Sequence, residues 1–400
     1  MNDAFIYGGV RTPFGRYGGA LSSVRPDDLA AATIREVVSR YGLAGDSVDD
    51  VVLGCATQAG EDSRNVARHA ALLSGLPESV PGQTANRLCG SGLAAVIDAA
   101  RAVSCGHGDI LIAGGVESMS RAPLVIPKAE TAFSRSTQMY DSTIGSRFPN
   151  KALTAQYGDD TMPQTADNVA GDHGIGREES DAFAAWSQER YAAALASGVF
   201  DDEIMPVTVK SGRKGETTEV KADEHPRPSS TADKLAGLKP LFEGGTVTAG
   251  NASGVNDGAA ALVIGGRDLG DRIGHAPLVR MVSAAVAGVA PRVMGLGPVP
   301  AGQKALERAG LTLADMDIIE INEAFAAQVL GCLKLFGLPG DDARVNPNGG
   351  AIAVGHPLGA SGARLALTTA RHLQRTGGRY ALVSLCVGVG QGIAMVIERV

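Results

Sequence analysis

Four short segments hold residues whose types and spacing could do chemistry. In Asn86-Arg-Leu-Cys-Gly-Ser-Gly92, Cys89 directly precedes a small-residue turn that feeds a helix. Unpaired N–H groups and the helix dipole at such a place favour a thiolate, hence a nucleophile; a buried structural cysteine is the other reading. In Asn346-Pro-Asn-Gly-Gly-Ala-Ile-Ala-Val-Gly-His-Pro-Leu-Gly-Ala-Ser-Gly362, five glycines surround His356. That composition makes a poor helix and a poor strand, and predicts a loop where backbone approaches something closely. From this segment alone His356 is either a working group or a packed histidine. In Glu320-Ile-Asn-Glu-Ala-Phe-Ala326, Asn322 and Glu323 end an apolar strand, where layered α/β proteins place ligand contacts; a helix cap is the alternative. Cys386-Val-Gly-Val-Gly-Gln-Gly392 offers a second thiol before spaced glycines. It imitates a dinucleotide fingerprint, but another strand follows at once and leaves no helix to receive a pyrophosphate.

The elements that must position these residues form a repeat. Asp50-Val-Val-Leu-Gly-Cys55 resembles Asp317-Ile-Ile-Glu-Ile-Asn322, and Cys89–Leu93 resembles Gly359–Ala363, in each case before a Gly turn and a buried strand. The offset, close to 270 residues, implies two similar α/β domains rather than a solenoid. Runs such as Asp109–Ala113 are short, apolar and non-alternating, as expected for strands buried on both faces. Ala381–Leu385 and Ile393–Ile397 read as two strands around a Gly-rich turn, which argues against a membrane helix in that uncharged stretch. Between the copies, residues 120–248 are more polar. They hold one expected helix, Glu178–Ala196, with Phe183, Trp186, Tyr191 and Leu195 on a face. A basic patch follows (Lys210, Arg213, Lys214, Lys221), read either as solvated loop or as a ligand-binding insertion.

Composition narrows the function class. The chain has 400 residues with 36 Lys and Arg against 43 Asp and Glu, a charge of −7 that speaks against nucleic-acid binding. With 44% hydrophobic residues and 53 glycines, a large, closely packed core is available. Five cysteines, none in a C-x-x-C pair, and seven histidines without ligand spacing disfavour disulfides and metal. No signal-like N-terminus precedes Arg11, so a soluble cytoplasmic protein is expected.

Taken together and in order, these segments resemble the thiolase family, from Arg11-Thr-Pro13 to the C-terminus. Cys89 matches the family's nucleophilic cysteine, Asn322–Ala326 its N-E-A-F-A motif, Gly355–Gly362 its G-H-P-x-G-x-S-G motif, and Cys386–Gly392 its second reactive cysteine. Gly114–Ser120 and Thr248–Gly258 also look like the family. Val389 interrupts the three glycines common after the last cysteine, while Gly388 is retained. That variant, with Ala59–Arg68 and Gly288–Pro300, looks most like β-ketoadipyl-CoA thiolases; Thr161-Met162 stands where acetoacetyl-CoA thiolases commonly read His-Met.

The resemblance implies a thiolase fold, two duplicated layered α/β domains with an inserted loop domain. Residues 1–119 plus 249–275, 120–248 and 276–400 are the expected units. It implies an acyl group carried on Cys89, with His356 taking its proton and Cys386 as acid and base at the α-carbon. Asn322 would position a water beside His356 for one oxyanion, and the N–H groups of Cys89 and Gly388 would hold the other. Arg227 and Ser253 are expected to bind coenzyme A, a substrate, with no metal and no redox cofactor. The implied reaction is cleavage of 3-oxoadipyl-CoA by a homodimer or homotetramer. The alternatives are a short- or medium-chain 3-ketoacyl-CoA thiolase, an acetyl-CoA acetyltransferase, a non-catalytic acyl-CoA binder and a ketoacyl synthase. The presence of Cys89 and His356 argues against a non-catalytic binder, and Cys386 against a synthase.

Overall fold

The computed structural model describes residues 2–210 and 215–400, so Arg213 and Lys214 of the basic patch lie outside the described residues. The first half supplies strand β1 (Phe5–Arg11), helix α1 (Pro26–Arg40), β2 (Asp50–Gly54), α2 (Val66–Ser74), β3 (Gly82–Ala85), α3 (Ser91–Ser104) and β4 (Ile110–Ser118). Strand β5 (Asn256–Gly265) rejoins it after the insertion, whose longer helices are α4 (Met162–His173) and α5 (Arg177–Ala196). The second half runs β6 (Val279–Gly288), α6 (Pro298–Ala309), β7 (Ile318–Ile321), α7 (Ala326–Phe336), α8 (Leu358–Thr376), β8 (Tyr380–Val387) and β9 (Gln391–Arg399).

Strand order is β7-β8-β9-β6-β1-β5-β4-β2-β3, and the two sides of the β6–β1 junction match strand for strand outward, with β3 as one extra edge strand on the first half. On each side two neighbouring strands pair in parallel, β2 with β4 and β7 with β8, while β5 and β9 run antiparallel to their neighbours. The sheet is therefore mixed. The junction itself is narrow, only Phe5 with Arg280 and Ile6 with Val279. One apolar core joins the inner faces of both halves to α3 and α8, including Leu93, Ile97, Leu365, Leu262 and Met395. Outer cores pack α1 and α2 on the first half, and α6 and α7 on the second. Five layers result, with α3 and α8 at the centre.

The glycine run around His356 differs from the expected loop. Residues Ala351–Val354 form one helical turn, and Gly359 and Gly362 lie inside the first turns of α8. Glycine is unfavourable in a helix by about 1 kcal/mol, but the central layer requires it here. A Cβ at Gly362 would fall on the backbone of Leu93, and one at Gly92 on the Gly359 carbonyl oxygen. Backbone contact between α3 and α8 overrides local propensity.

The insertion holds more structure than one helix: besides α4 and α5 there are short helices at Lys151–Tyr157 and Ala232–Ala236 and two small hairpins. Helix α5 starts one residue before the expected Glu178 and ends at Ala196. Its buried face carries Phe183, Ser187, Gln188 and Tyr191, whereas Leu195 is 45% exposed. The covered face is partly polar because it meets backbone: Ser187 Oγ accepts from Gly350 N–H at 3.1 Å, and Gln188 donates to the Ile352 carbonyl at 3.1 Å. Arg11, wholly buried, ties β1 to the insertion by bonds to Glu203 at 2.7 Å and to both oxygens of Asp223 at 2.7 and 2.9 Å.

Candidate active site

The first thiol sits on a constrained turn. Leu88, just before Cys89, has φ of +46°, a left-handed backbone that costs a non-glycine residue about 1–3 kcal/mol. Ser91 at the start of α3 holds that turn, donating to the Leu88 carbonyl at 2.6 Å and accepting from Arg87 N–H at 2.9 Å. Cys89 is partly exposed, and its sulfur faces its own N–H and that of Gly388. Burial of its surroundings pushes the thiol up to about 11, against the pull of those two N–H groups, with the charge of Glu117 adding to the rise. The thiolate expected from the helix start is thus overridden by desolvation, and Cys89 rests as a thiol.

Gly388 and Cys386 come from the β8–β9 hairpin. Its register pairs Cys386 with Gly392 and Val387 with Gln391, leaving Gly388-Val389-Gly390 as the turn. Val389 has φ of +62° and is 58% exposed. The turn is pinned in that strained shape by Val289 N–H donating to the Gly390 carbonyl at 2.8 Å. Cys386 is 1% exposed, packed among Phe325, Ala324, Met294, Val247 and Ala166 of α4. Burial pushes its thiol well up, and the sulfurs of Cys89 and Cys332 nearby push the same way. The two cysteines therefore share one site, both protonated.

His356 is buried, and its ring is oriented by two bonds. Nδ1 lies 2.6 Å from Ser361 Oγ, and that hydroxyl donates to the Pro357 carbonyl at 2.9 Å. With its proton so committed, Ser361 accepts from Nδ1–H, which leaves the lone pair on Nε2. Asn322 Nδ2 approaches that lone pair at 3.4 Å, and Asn322 Oδ1 is buried without a partner. Burial lowers His356 to about 3, and Arg364 on α8 adds to the effect. It is a neutral base whose Nε2 lone pair meets only the long contact from Asn322. From behind, His356 N–H donates to Asn256 Oδ1 of β5 at 2.9 Å.

Asn322 and Glu323 are adjacent but separate in role. Neither caps α7, which begins after Phe325 without a side-chain cap. Glu323 accepts from Ser187 Oγ at 2.6 Å, Asn346 Nδ2 at 2.8 Å and Ile352 N–H at 3.1 Å, so it braces the loop before His356. Arg227 lines a cleft with His225, Ser229, Ser230, Lys234 and Ala252. Ser253 follows Ala252 and donates its N–H to the Ala324 carbonyl at 2.9 Å, which ties that cleft to the strand end carrying Asn322. Ser361, Asn256 and Glu117 were not singled out by the sequence reading, although each lies within a segment that it quoted. Among the described residues, no group of three or more His, Cys, Asp or Glu could hold a metal ion. Nor is any helix among them long and apolar enough to cross a membrane.

An arrangement of this kind, with two thiols, a neutral imidazole and two convergent N–H groups, can carry an acyl group on sulfur and move a proton at carbon. Comparison with known proteins gives the family. Residues 4–268 match the thiolase N-terminal domain and residues 275–399 the thiolase C-terminal domain. The chain belongs to the thiolase family. It is thus an acyltransferase. It is 60% identical, over the whole of both chains, to the Escherichia coli 3-oxoadipyl-CoA/3-oxo-5,6-dehydrosuberyl-CoA thiolase. It is 56% identical to the Pseudomonas aeruginosa β-ketoadipyl-CoA thiolase, covering 100% of this chain and 99% of that one. Human mitochondrial 3-ketoacyl-CoA thiolase in complex with CoA superposes with a TM-score of 0.91 at 40% identity, covering 100% of this thiolase and 98% of that chain. The thiolase fold expected from the sequence is the fold observed.

Proposed function

We propose that this thiolase cleaves 3-oxoadipyl-CoA with coenzyme A to succinyl-CoA and acetyl-CoA, a step in the breakdown of aromatic compounds. The observation that carries the substrate is the full-length 60% identity to the thiolase named for 3-oxoadipyl-CoA.

Cys89 gives its proton to His356 Nε2 as its sulfur attacks the 3-oxo carbon. The oxyanion that forms accepts from the N–H groups of Cys89 and Gly388. Losing one such donor costs roughly 10²–10³ in rate. The bond between C2 and C3 then breaks, leaving succinyl on Cys89 and an enolate of acetyl-CoA. His356, now protonated, and a water held by the free Oδ1 of Asn322 stabilise the enolate oxygen. Cys386, which burial holds protonated at rest, protonates C2 and becomes a thiolate. Incoming coenzyme A gives its thiol proton to Cys386 and its sulfur attacks the succinyl thioester. Cys89 leaves and recovers its proton from His356. No electrons are exchanged with any acceptor, so the cycle needs no redox cofactor, and the N–H groups take the place of a metal.

The insertion, residues 120–248, together with Ser253 would hold coenzyme A, with Arg227 and Lys234 as cations for its phosphates. Five free cysteines, Cys105 among them exposed, suit a reducing cytoplasm. The assembly we propose is a homodimer or homotetramer, which light scattering distinguishes. The substrate is tested by comparing kcat/KM for 3-oxoadipyl-CoA, acetoacetyl-CoA and straight-chain 3-oxoacyl-CoAs. Preference for 3-oxoadipyl-CoA is expected; preference for the straight chains would make this a 3-ketoacyl-CoA thiolase of short or medium chain length.

A further inference from the structure

Glu117, near the end of β4, is a buried carboxylate that the steps above do not use; it is 1% exposed. Its Oε2 accepts from Ala56 N–H and Gly359 N–H, both at 2.9 Å, and its Oε1 accepts from Thr57 N–H at 2.9 Å. Cys55 Sγ lies 3.8 Å from Oε1 but is already committed to the Thr57 carbonyl at 2.9 Å. Donors thus meet both oxygens. The three N–H groups fit the carboxylate form. Burial raises its pKa, and those N–H groups with the Thr57 hydroxyl pull against the rise.

The three donors belong to different parts of the molecule. Ala56 and Thr57 follow β2 in the first half, whereas Gly359 stands in the first turn of α8, three residues after His356. The first N–H groups of a helix have no partner within it, and an anion there is favoured by the helix dipole. Glu117 therefore supplies, from the first half, the anion that caps the helix behind His356. Asn256 of β5 holds the His356 N–H from the same half. A Cβ at Gly359 would fall on the Val116 carbonyl oxygen, so the loop is seated directly on β4.

We infer that Glu117 is a positioning residue, which clamps the His356 loop of the second half onto the nucleophile's half through Gly359. The inference rests on the roles proposed for Cys89 and His356. It carries a second consequence, because the charge of Glu117 opposes a thiolate at Cys89. The other titratable groups of the site are Cys386 and His356, and Cys55 lies against Glu117. Burial holds the two thiols protonated and the imidazole neutral, so none of them changes charge when Glu117 is replaced.

The Glu117→Gln variant keeps size, removes the charge and sets an NH₂ group against N–H donors. Its kcat for thiolysis is expected to fall about 10–100-fold, the range for losing hydrogen bonds to a charged group, with KM for the acyl-CoA little changed. Alkylation of Cys89 by iodoacetamide, read at fixed pH on its peptide by mass spectrometry, is expected to speed up. A merely loosened site would also speed alkylation, because it relieves the burial of Cys89, but it would do so in Glu117→Asp as well as in Glu117→Gln. Glu117→Asp restores the charge without the reach, so alkylation should return to the wild-type rate while kcat stays low. Wild-type turnover in Glu117→Gln, or loss of turnover and alkylation together, would overturn the inference. If Glu117→Gln does not fold, the wild-type protein decides. The Gly359 amide should exchange with deuterium as slowly as amides in the middle of α8, and fast exchange would overturn the clamp. His356→Asn separates the two levels. If it turns over normally, the role of His356 fails; if it is inactive while Glu117→Gln is not, only the clamp fails.

Discussion

Ser361→Ala tests how the imidazole is poised. Ser361 Oγ, 2.6 Å from His356 Nδ1, commits its own proton to the Pro357 carbonyl and so fixes the tautomer with a lone pair on Nε2. Removing that acceptor leaves a buried N–H unsatisfied, at a cost of about 1–3 kcal/mol. The ring can keep this tautomer and bear the cost, or move its proton to Nε2 and lose the ability to take one from Cys89. Either way, acylation should slow by about 5–150-fold, since 1.4 kcal/mol is a factor of ten. Burial holds His356 near 3, so lowering the pH toward neutrality does not rescue it. The assay is single-turnover acylation by acetyl-CoA, quenched in acid and read by intact mass, with thermal melting to show that the variant is folded. Acylation at the wild-type rate in folded Ser361→Ala would refute the tautomer assignment.

With Cys89 pushed up to about 11, only about one molecule in ten thousand carries the thiolate at pH 7. Its alkylation rate should keep rising tenfold per unit of pH through the ordinary thiol range, and an inflection near neutrality would contradict this. Enzymatic acylation should instead stay flat from mildly acidic to mildly alkaline pH, because both partners are neutral there and the proton passes to His356. Cys386→Ser should still acylate Cys89 but lose exchange of the α-proton and condensation; condensation at the wild-type rate would show that Cys386 is not the acid and base. Arg11→Ala strands Glu203 and Asp223 in the core, and breaking a buried pair costs about 3–5 kcal/mol. Denaturant unfolding should show that loss, and unchanged stability would mean that the insertion is docked by other contacts.

The residues proposed to react were legible because each stands in a segment that local structure cannot explain. Cys89, His356, Asn322 and Gly388 all occupy turns, strand ends or glycine runs, and Cys386 ends a strand before one. The groups that orient them were not legible. Glu117 meets Gly359 across 242 residues of chain, a contact with no local periodicity behind it. Ser361 sits in a motif whose small residues are equally explained by the approach of α3 to α8. The same approach hid the start of α8, since glycines that argue against a helix are what lets two helices touch. In α5 the buried face was read from apolar residues alone, which misplaced Leu195 and passed over Ser187 and Gln188. At Cys89 the helix start alone favours a thiolate, whereas the transfer of its proton to His356 that the resemblance implies needs a thiol. A helix start and its N–H groups can be read from sequence, but the burial that outweighs them cannot.

The most direct test of the proposed reaction is to mix the protein with 3-oxoadipyl-CoA in the absence of free coenzyme A, quench in acid and map the acyl group by peptide mass spectrometry. A succinyl group on the peptide holding Cys89, with acetyl-CoA released in equal amount and no adduct or turnover in Cys89→Ala, is the expected result. A succinyl group found only on another cysteine, with Cys89→Ala still turning over, would contradict it.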